Sequence, residues 1–142
     1  MVAAPARVRA DLTRAKILEL PQRTVLFLED DPDFADTAAT AMRAAGLQVL
    51  TALHPWDAFR HLDDADPIDL FLADIRMPPG TPHGFAMARM AKSRRPHLKL
   101  LFVTGYRELA EAEGDSSDAI LFKPIHPDRL AEEVTRALAA GT

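Results

Sequence analysis

Asp69-Leu-Phe-Leu-Ala-Asp-Ile-Arg-Met-Pro78 carries the reading of the fold. The run Ile68–Ala73 is apolar apart from Asp69, ends at the carboxylate of Asp74 and runs into a proline-rich loop. A strand without polar alternation is covered on both faces, and such strands belong to parallel sheets flanked by helices. The same construction recurs outward from it. Val25–Leu28 is followed by Glu29-Asp30-Asp31, Leu98–Val103 by Thr104-Gly105, and Ala119–Phe122 by Lys123-Pro124. Leu47–Thr51 is a further short β-rich run.

Segments with helical spacing separate these runs. Phe34, Ala38, Ala41, Met42 and Ala45 stop at Gly46, a helix-ending residue. Trp56, Phe59 and Leu62 predict a second helix with these side chains on its inner or half-buried face. Phe85, Met87, Ala88 and Met90 predict a third, ahead of Pro96. Arg107–Glu113 leaves room for about two turns, because Gly114, Asp115, Ser116 and Ser117 read as loop. Leu130, Val134, Ala137 and Leu138 close the chain. The pattern is (βα)5, and right-handed crossovers restrict its topology. The expected class is α/β, a doubly wound, flavodoxin-like parallel sheet of order 2-1-3-4-5.

The 142 residues suffice for one domain, and 48% apolar with 27% charged residues is an ordinary globular balance. The absence of Cys excludes thiolate chemistry and disulfides and fits a reducing compartment. A net charge of −4 offers no basic footprint for nucleic acid. Arg7, Arg9, Asp11, Arg14, Lys16 and Glu19 interrupt any secretory h-region, and no apolar run is long enough to span a bilayer. A cytoplasmic protein is expected, and the abundance of Ala and Arg points to a bacterial, GC-rich genome. Residues 1–22 read as a leader, either disordered or an amphipathic helix through Val8, Leu12, Ala15 and Leu18; residues 23–142 read as the domain.

In a doubly wound sheet, ligands bind beyond the carboxyl ends of the strands. Those ends carry Glu29, Asp30, Asp31, Asp74, Thr104 and Lys123. Two carboxylates about 5 Å apart repel by roughly 3 kcal/mol at an effective dielectric of 20. A hard divalent cation such as Mg2+ relieves that repulsion and keeps positions for phosphate oxygens. A lysine ammonium and a threonine hydroxyl are donors suited to the same oxygens. The set suits phosphoryl transfer to an aspartate.

Val25-Leu-Phe-Leu-Glu-Asp-Asp-Pro32, Asp69 to Pro78, Phe102-Val-Thr-Gly105 and Leu121-Phe-Lys-Pro124 together resemble the receiver domain of two-component response regulators, from Thr24 to about Ala140. The resemblance implies that Asp74 is the phosphoacceptor, with Thr104 and Lys123 contacting the phosphoryl group. It implies a magnesium site of Asp30, Asp74, Glu29 acting through water, and the backbone carbonyl of Arg76. A cis peptide before Pro124 goes with it. The implied partners are a sensor histidine kinase or phosphotransfer protein and a downstream protein of unknown identity. No DNA-binding segment follows, so a stand-alone receiver is expected, catalysing only its own phosphorylation and dephosphorylation; homodimer formation stays open.

Three departures stand out. The loop Met77–Gly84 is longer than the family's usual spacing, the stretch from Thr104 to Lys123 is shorter, and Ile120 occupies the usual aromatic switch position, with Tyr106 a substitute. They keep open a phosphorylation-independent pseudo-receiver. A haloacid-dehalogenase-like phosphohydrolase, for which Asp31-Pro-Asp33 offers an Asp-X-Asp, is a further alternative, although the best acceptor ends the third strand rather than the first. Taken residue by residue, Asp31 reads as a helix N-cap with Pro32 behind it. His54, His61, His83, His97 and His126 lack metal-ligand spacing, and Lys92, Arg94 and Arg95 read as a solvated helix end. The phosphoacceptor reading requires the Asp74 carboxylate to be open to solvent and close to Glu29, Asp30 and the Lys123 amine.

Overall fold

The structure is a computed structural model that describes residues 22–64, 67–113 and 119–140. Among the described residues five strands alternate with five helices: β1 (Thr24–Leu28), α1 (Pro32–Ala44), β2 (Gln48–Ala52), α2 (Pro55–Asp63), β3 (Leu70–Asp74), α3 (Gly84–Arg94), β4 (Lys99–Thr104), α4 (Arg107–Glu113), β5 (Ile120–Phe122) and α5 (Pro127–Ala139). The strands are parallel in the order β2-β1-β3-β4-β5, as the alternating pattern predicts. The leader, apart from Gln22, and the Gly114–Ser117 loop lie outside the described residues.

The strands are apolar on both sides because each side faces its own helical layer. Val25 and Phe27 of β1 join Leu70, Leu72, Leu101 and Val103 beneath α1 and α5. Leu26 and Leu28 join Phe71, Ala73 and Phe102 beneath α2, α3 and α4. The two-residue period of a strand deals consecutive side chains to opposite layers. β3 begins at Leu70 rather than Ile68. The Asp69 carboxylate accepts the Thr24 N–H at 2.8 Å and faces Arg23, while its backbone still bonds Thr24 and Lys99, so this residue closes the end of the sheet.

Helix ends follow local chemistry. Asp31 caps α1 by accepting from the N–H groups of Asp33 and Phe34, with Pro32 in the first turn, and Gly46 beyond the helix has φ of +96°. Three histidines cap helices as well. The Nδ1 atoms of His54, His83 and His126 accept from Trp56 N, Ala86 N and Asp128 N at 3.2, 3.3 and 3.1 Å. Each is thereby placed as a structural residue, in accord with the absence of ligand spacing. At the other end of α5, Lys99 donates to the carbonyls of Ala137, Leu138 and Ala140, and Arg23 to that of Leu138. These bonds satisfy carbonyls that have no partner within a helix.

Two sequence expectations need correction. Trp56 is 53% exposed; Pro55, Ala58 and Leu62 form the buried face of α2, and the Trp56 ring stacks outward on Phe59. The basic run ending α3 is not merely solvated. Lys92 binds the Leu98 carbonyl at 2.7 Å, Arg94 pairs with Asp63 at 2.9 Å, and Arg95 bonds the carbonyls of Leu62 and Asp64. Spacing alone could not show that the end of α2 lies alongside.

Gly84 opens α3 where the chain passes the site strand. A Cβ there would stand 2.3 Å from the Asp74 carbonyl oxygen and 2.8 Å from Ile75 Cα, both backbone atoms that cannot rotate away. The Gly84 N–H donates to the Ile75 carbonyl at 2.8 Å, which fixes the approach. Gly84→Ala is expected to cost about 1–3 kcal/mol through overpacking, read from the urea unfolding midpoint. A variant as stable as the wild type would show that the two backbones can separate.

Candidate functional site

The carboxyl ends of β1, β3, β4 and β5 surround a cleft of about 590 Å³. Its acidic side is Glu29, Asp30, Asp31 and Asp74; Lys123 reaches in from the loop after β5, and Arg76 with Tyr106 stands on the opposite side. A larger hollow of about 690 Å³ between α1 and α5 is lined mainly by alanines and gathers no comparable cluster of charge.

Lys123 Nζ lies 2.6 Å from Glu29 Oε1 and 3.2 Å from Asp74 Oδ2. Carboxylate oxygens of Glu29, Asp30 and Asp74 lie within 4.8 Å of one another. The second oxygens are held by backbone: Glu29 Oε2 accepts from Asp31 N at 3.2 Å, and Asp74 Oδ1 from Arg76 N at 3.3 Å. Residues separated by up to 94 positions therefore share one ammonium.

The charges do not cancel. Glu29 is fully buried, Asp74 is 6% exposed, and Asp30 faces solvent. Burial first, and then the charge of Asp74, raise the Glu29 pKa to about 7 despite Lys123. Burial alone would lower the Lys123 pKa, but bonding to Glu29 and the charges of Asp74 and Glu29 outweigh it and raise it. Two buried carboxylates facing one ammonium leave an excess negative charge in a recess, which is a reason to take up either a proton or a cation. An all-oxygen donor set of carboxylates suits a hard ion such as magnesium rather than zinc or copper.

The sequence expectations are met unequally. Proximity of Glu29, Asp30, Asp74 and Lys123 holds. The expectation that Asp74 is open to solvent is not met: the residue is buried, with 9% of its side chain exposed, and only an edge lines the cleft, because the Arg76 loop and Tyr106 close over this end of the sheet. Thr104 ends β4 as expected but is fully buried, and its Oγ1 accepts from Tyr106 N at 3.1 Å, behind the wall formed by Gly105 and Tyr106. The Arg76 guanidinium stacks 4.4 Å over the Tyr106 ring, so the longer loop and the β4–α4 turn meet across the cleft. Ile120 is half-buried against the α2–α3–α4 core, while Tyr106 is 49% exposed. The Lys123–Pro124 bond is cis. Asp31, half of the Asp-X-Asp alternative, is engaged as the cap of α1. Phe34, which the sequence marks only as part of an apolar helix face, places its ring 4.6 Å from Lys123 Nζ.

Known proteins share both the sequence pattern and this architecture. The family model described as the response regulator receiver domain matches residues 25–135. The response regulator receiver protein CpdR of Brucella abortus is 31% identical over 122 residues, covering 84% of this chain and 99% of CpdR. The sensor kinase CckA of the same organism is 29% identical over 119 residues, and there the match covers 81% of this chain but 12% of the kinase. A response regulator receiver protein from Sinorhizobium medicae has the same fold, with a TM-score of 0.74 at 24% identity over 84% of this chain and 96% of that one. A family match across most of the chain, on a sheet of this order, shows that the protein belongs to the response regulator receiver domains, the signalling domains of two-component systems.

Proposed function

We propose that this chain accepts a phosphoryl group on Asp74, with magnesium bound beside it, and passes the change to a protein partner. The observation that carries the reading is Lys123 Nζ bonded at once to Glu29 and Asp74, with Asp30 within ligand distance, at the carboxyl edge of the sheet. Residues 23–142 form the proposed phosphoacceptor unit.

In this reading Asp30, Asp74, Glu29 through a water, and the Arg76 carbonyl would hold the ion. Magnesium, when bound, neutralises the carboxylates and the phosphoryl oxygens. An Asp74 carboxylate oxygen attacks phosphorus; the bond from phosphorus to the donor atom breaks, and the donor leaves with that electron pair. With a phosphohistidine donor the leaving group is imidazole. Lys123 then pairs with a phosphoryl oxygen, and the Thr104 hydroxyl turns from its buried position to donate to another. Hydrolysis later returns the group to water, so no small substrate is turned over. The donor is a sensor histidine kinase or phosphotransfer protein, and the resemblance to part of the kinase CckA supports that class of partner.

The test is intact-mass measurement after incubation with acetyl phosphate. Magnesium-loaded protein is expected to gain one phosphoryl group, and protein in EDTA none. Failure of the magnesium-loaded protein to gain mass from acetyl phosphate or from phosphorylated kinases would favour the phosphorylation-independent alternative, consistent with Ile120 in place of the usual aromatic residue.

A further inference from the structure

We propose that Phe34 is a positioning residue that holds the Lys123 ammonium between Glu29 and Asp74; this rests on Asp74 being the acceptor. Lysine is a point charge on a flexible four-carbon stem, so its direction has to come from its surroundings. Lys123 sits on the loop between β5 and α5, with a quarter of its side chain exposed. Its carboxylate contacts are unequal, 2.6 Å to Glu29 against 3.2 Å to Asp74. An ammonium governed by these two alone is drawn toward the buried Glu29 and away from the acceptor.

The Phe34 ring supplies a third contact, 4.6 Å from Nζ. An aromatic face attracts a cation through its quadrupole, yet presents no lone pair to occupy an N–H. The ammonium is held while its donors stay available to oxygens. The ring is itself a fixed surface. It rides on the first turn of α1, where Asp31 accepts the Phe34 N–H and Pro32 sets the backbone. It stands edge to face on the fully buried Phe27 of β1, at 6.3 Å and 72°. The β1–α1 turn thus delivers both the buried anion and the aromatic surface against which Lys123 is set. An aliphatic side chain could fill the space but would not attract the charge.

The experiment compares phosphoryl uptake rates from acetyl phosphate, with saturating magnesium, for the wild type, Phe34→Leu, Phe34→Met, Phe34→Tyr and Phe34→Trp. Urea midpoints are measured on the same samples. The aliphatic variants are expected to slow uptake about fivefold, as loss of a partly exposed cation–π contact implies, and the aromatic ones to stay near the wild-type rate. The result that overturns the proposal is a wild type that takes up phosphoryl groups while all four variants share one rate, or while the rates track the urea midpoints rather than aromaticity. A wild type that takes up none removes the Asp74 reading, and this inference with it.

Discussion

Asp74→Asn is expected to take up no phosphoryl group from acetyl phosphate at any magnesium concentration, and to raise the stability of the metal-free protein above neutral pH. The first effect follows from removing the carboxylate that is bonded to Lys123, braced by backbone and, unlike the equally placed but fully buried Glu29, still exposed at one edge to the cleft. Asp30 and Asp31 are exposed, Asp31 is tied up as a cap, and Glu29 is fully buried, so none of them replaces it. The second effect follows from electrostatics. The Asp74 charge is the second-largest cause raising the Glu29 pKa, after burial. An amide leaves Glu29 paired with Lys123 and without the repulsion. The gain is expected to be about 1 kcal/mol in urea unfolding at pH 8, the size of one pKa unit. Phosphoryl uptake at wild-type level by this variant would move the acceptor to another residue.

The stability of the metal-free protein carries a pH dependence of opposite sign to ordinary acid unfolding. Glu29 holds its proton to about pH 7 when folded and to about 4.5 when unfolded. Between those values the unfolded chain has fewer bound protons than the folded one, so rising pH favours unfolding. Below the window both states are protonated; above it both are ionised and the penalty stays. The shift corresponds to a loss of order 3 kcal/mol. Lys123 titrates outside this window: its raised pKa gives stability that is present below about 10.5 and lost only as pH rises through the higher folded value. Other carboxylates add their own slopes, so the clean observable is a difference. Relative to the wild type, Glu29→Gln is expected to gain about 3 kcal/mol in urea unfolding between pH 4.5 and pH 8. Saturating magnesium, which favours the ionised form of Glu29, is expected to flatten the wild-type curve. A difference that does not vary with pH would mean that Glu29 is an ordinary carboxylate.

The sequence by itself shows whatever depends on period and order along the chain. The sheet follows from apolar runs with no polar alternation, such as Leu70–Ala73, and Glu29, Asp74 and Lys123 follow because each directly ends or follows such a run. Contacts between distant segments were not legible. Phe34 has the spacing of a core residue, and its contact with Lys123 exists only once β5 lies beside the other strands. Trp56 has an apolar side chain at helical spacing, yet the narrow buried face of α2 is satisfied by Pro55, Ala58 and Leu62. His54, His83 and His126 each precede a helix, but a histidine cap lacks the strong sequence bias of Ser, Thr, Asp or Asn. The recess around Asp74 and the burial of Thr104 depend on how the Arg76 loop meets Tyr106, which spacing cannot supply.

The site as a whole is tested most directly by locating the covalent bond. Protein phosphorylated with acetyl phosphate and magnesium is reduced with borohydride, which converts a phosphorylated aspartate to homoserine, and is then mapped by tandem mass spectrometry. Homoserine at position 74, dependent on magnesium, is the predicted result. Homoserine at position 30, 31 or 33, or none in protein shown to be folded, would contradict it.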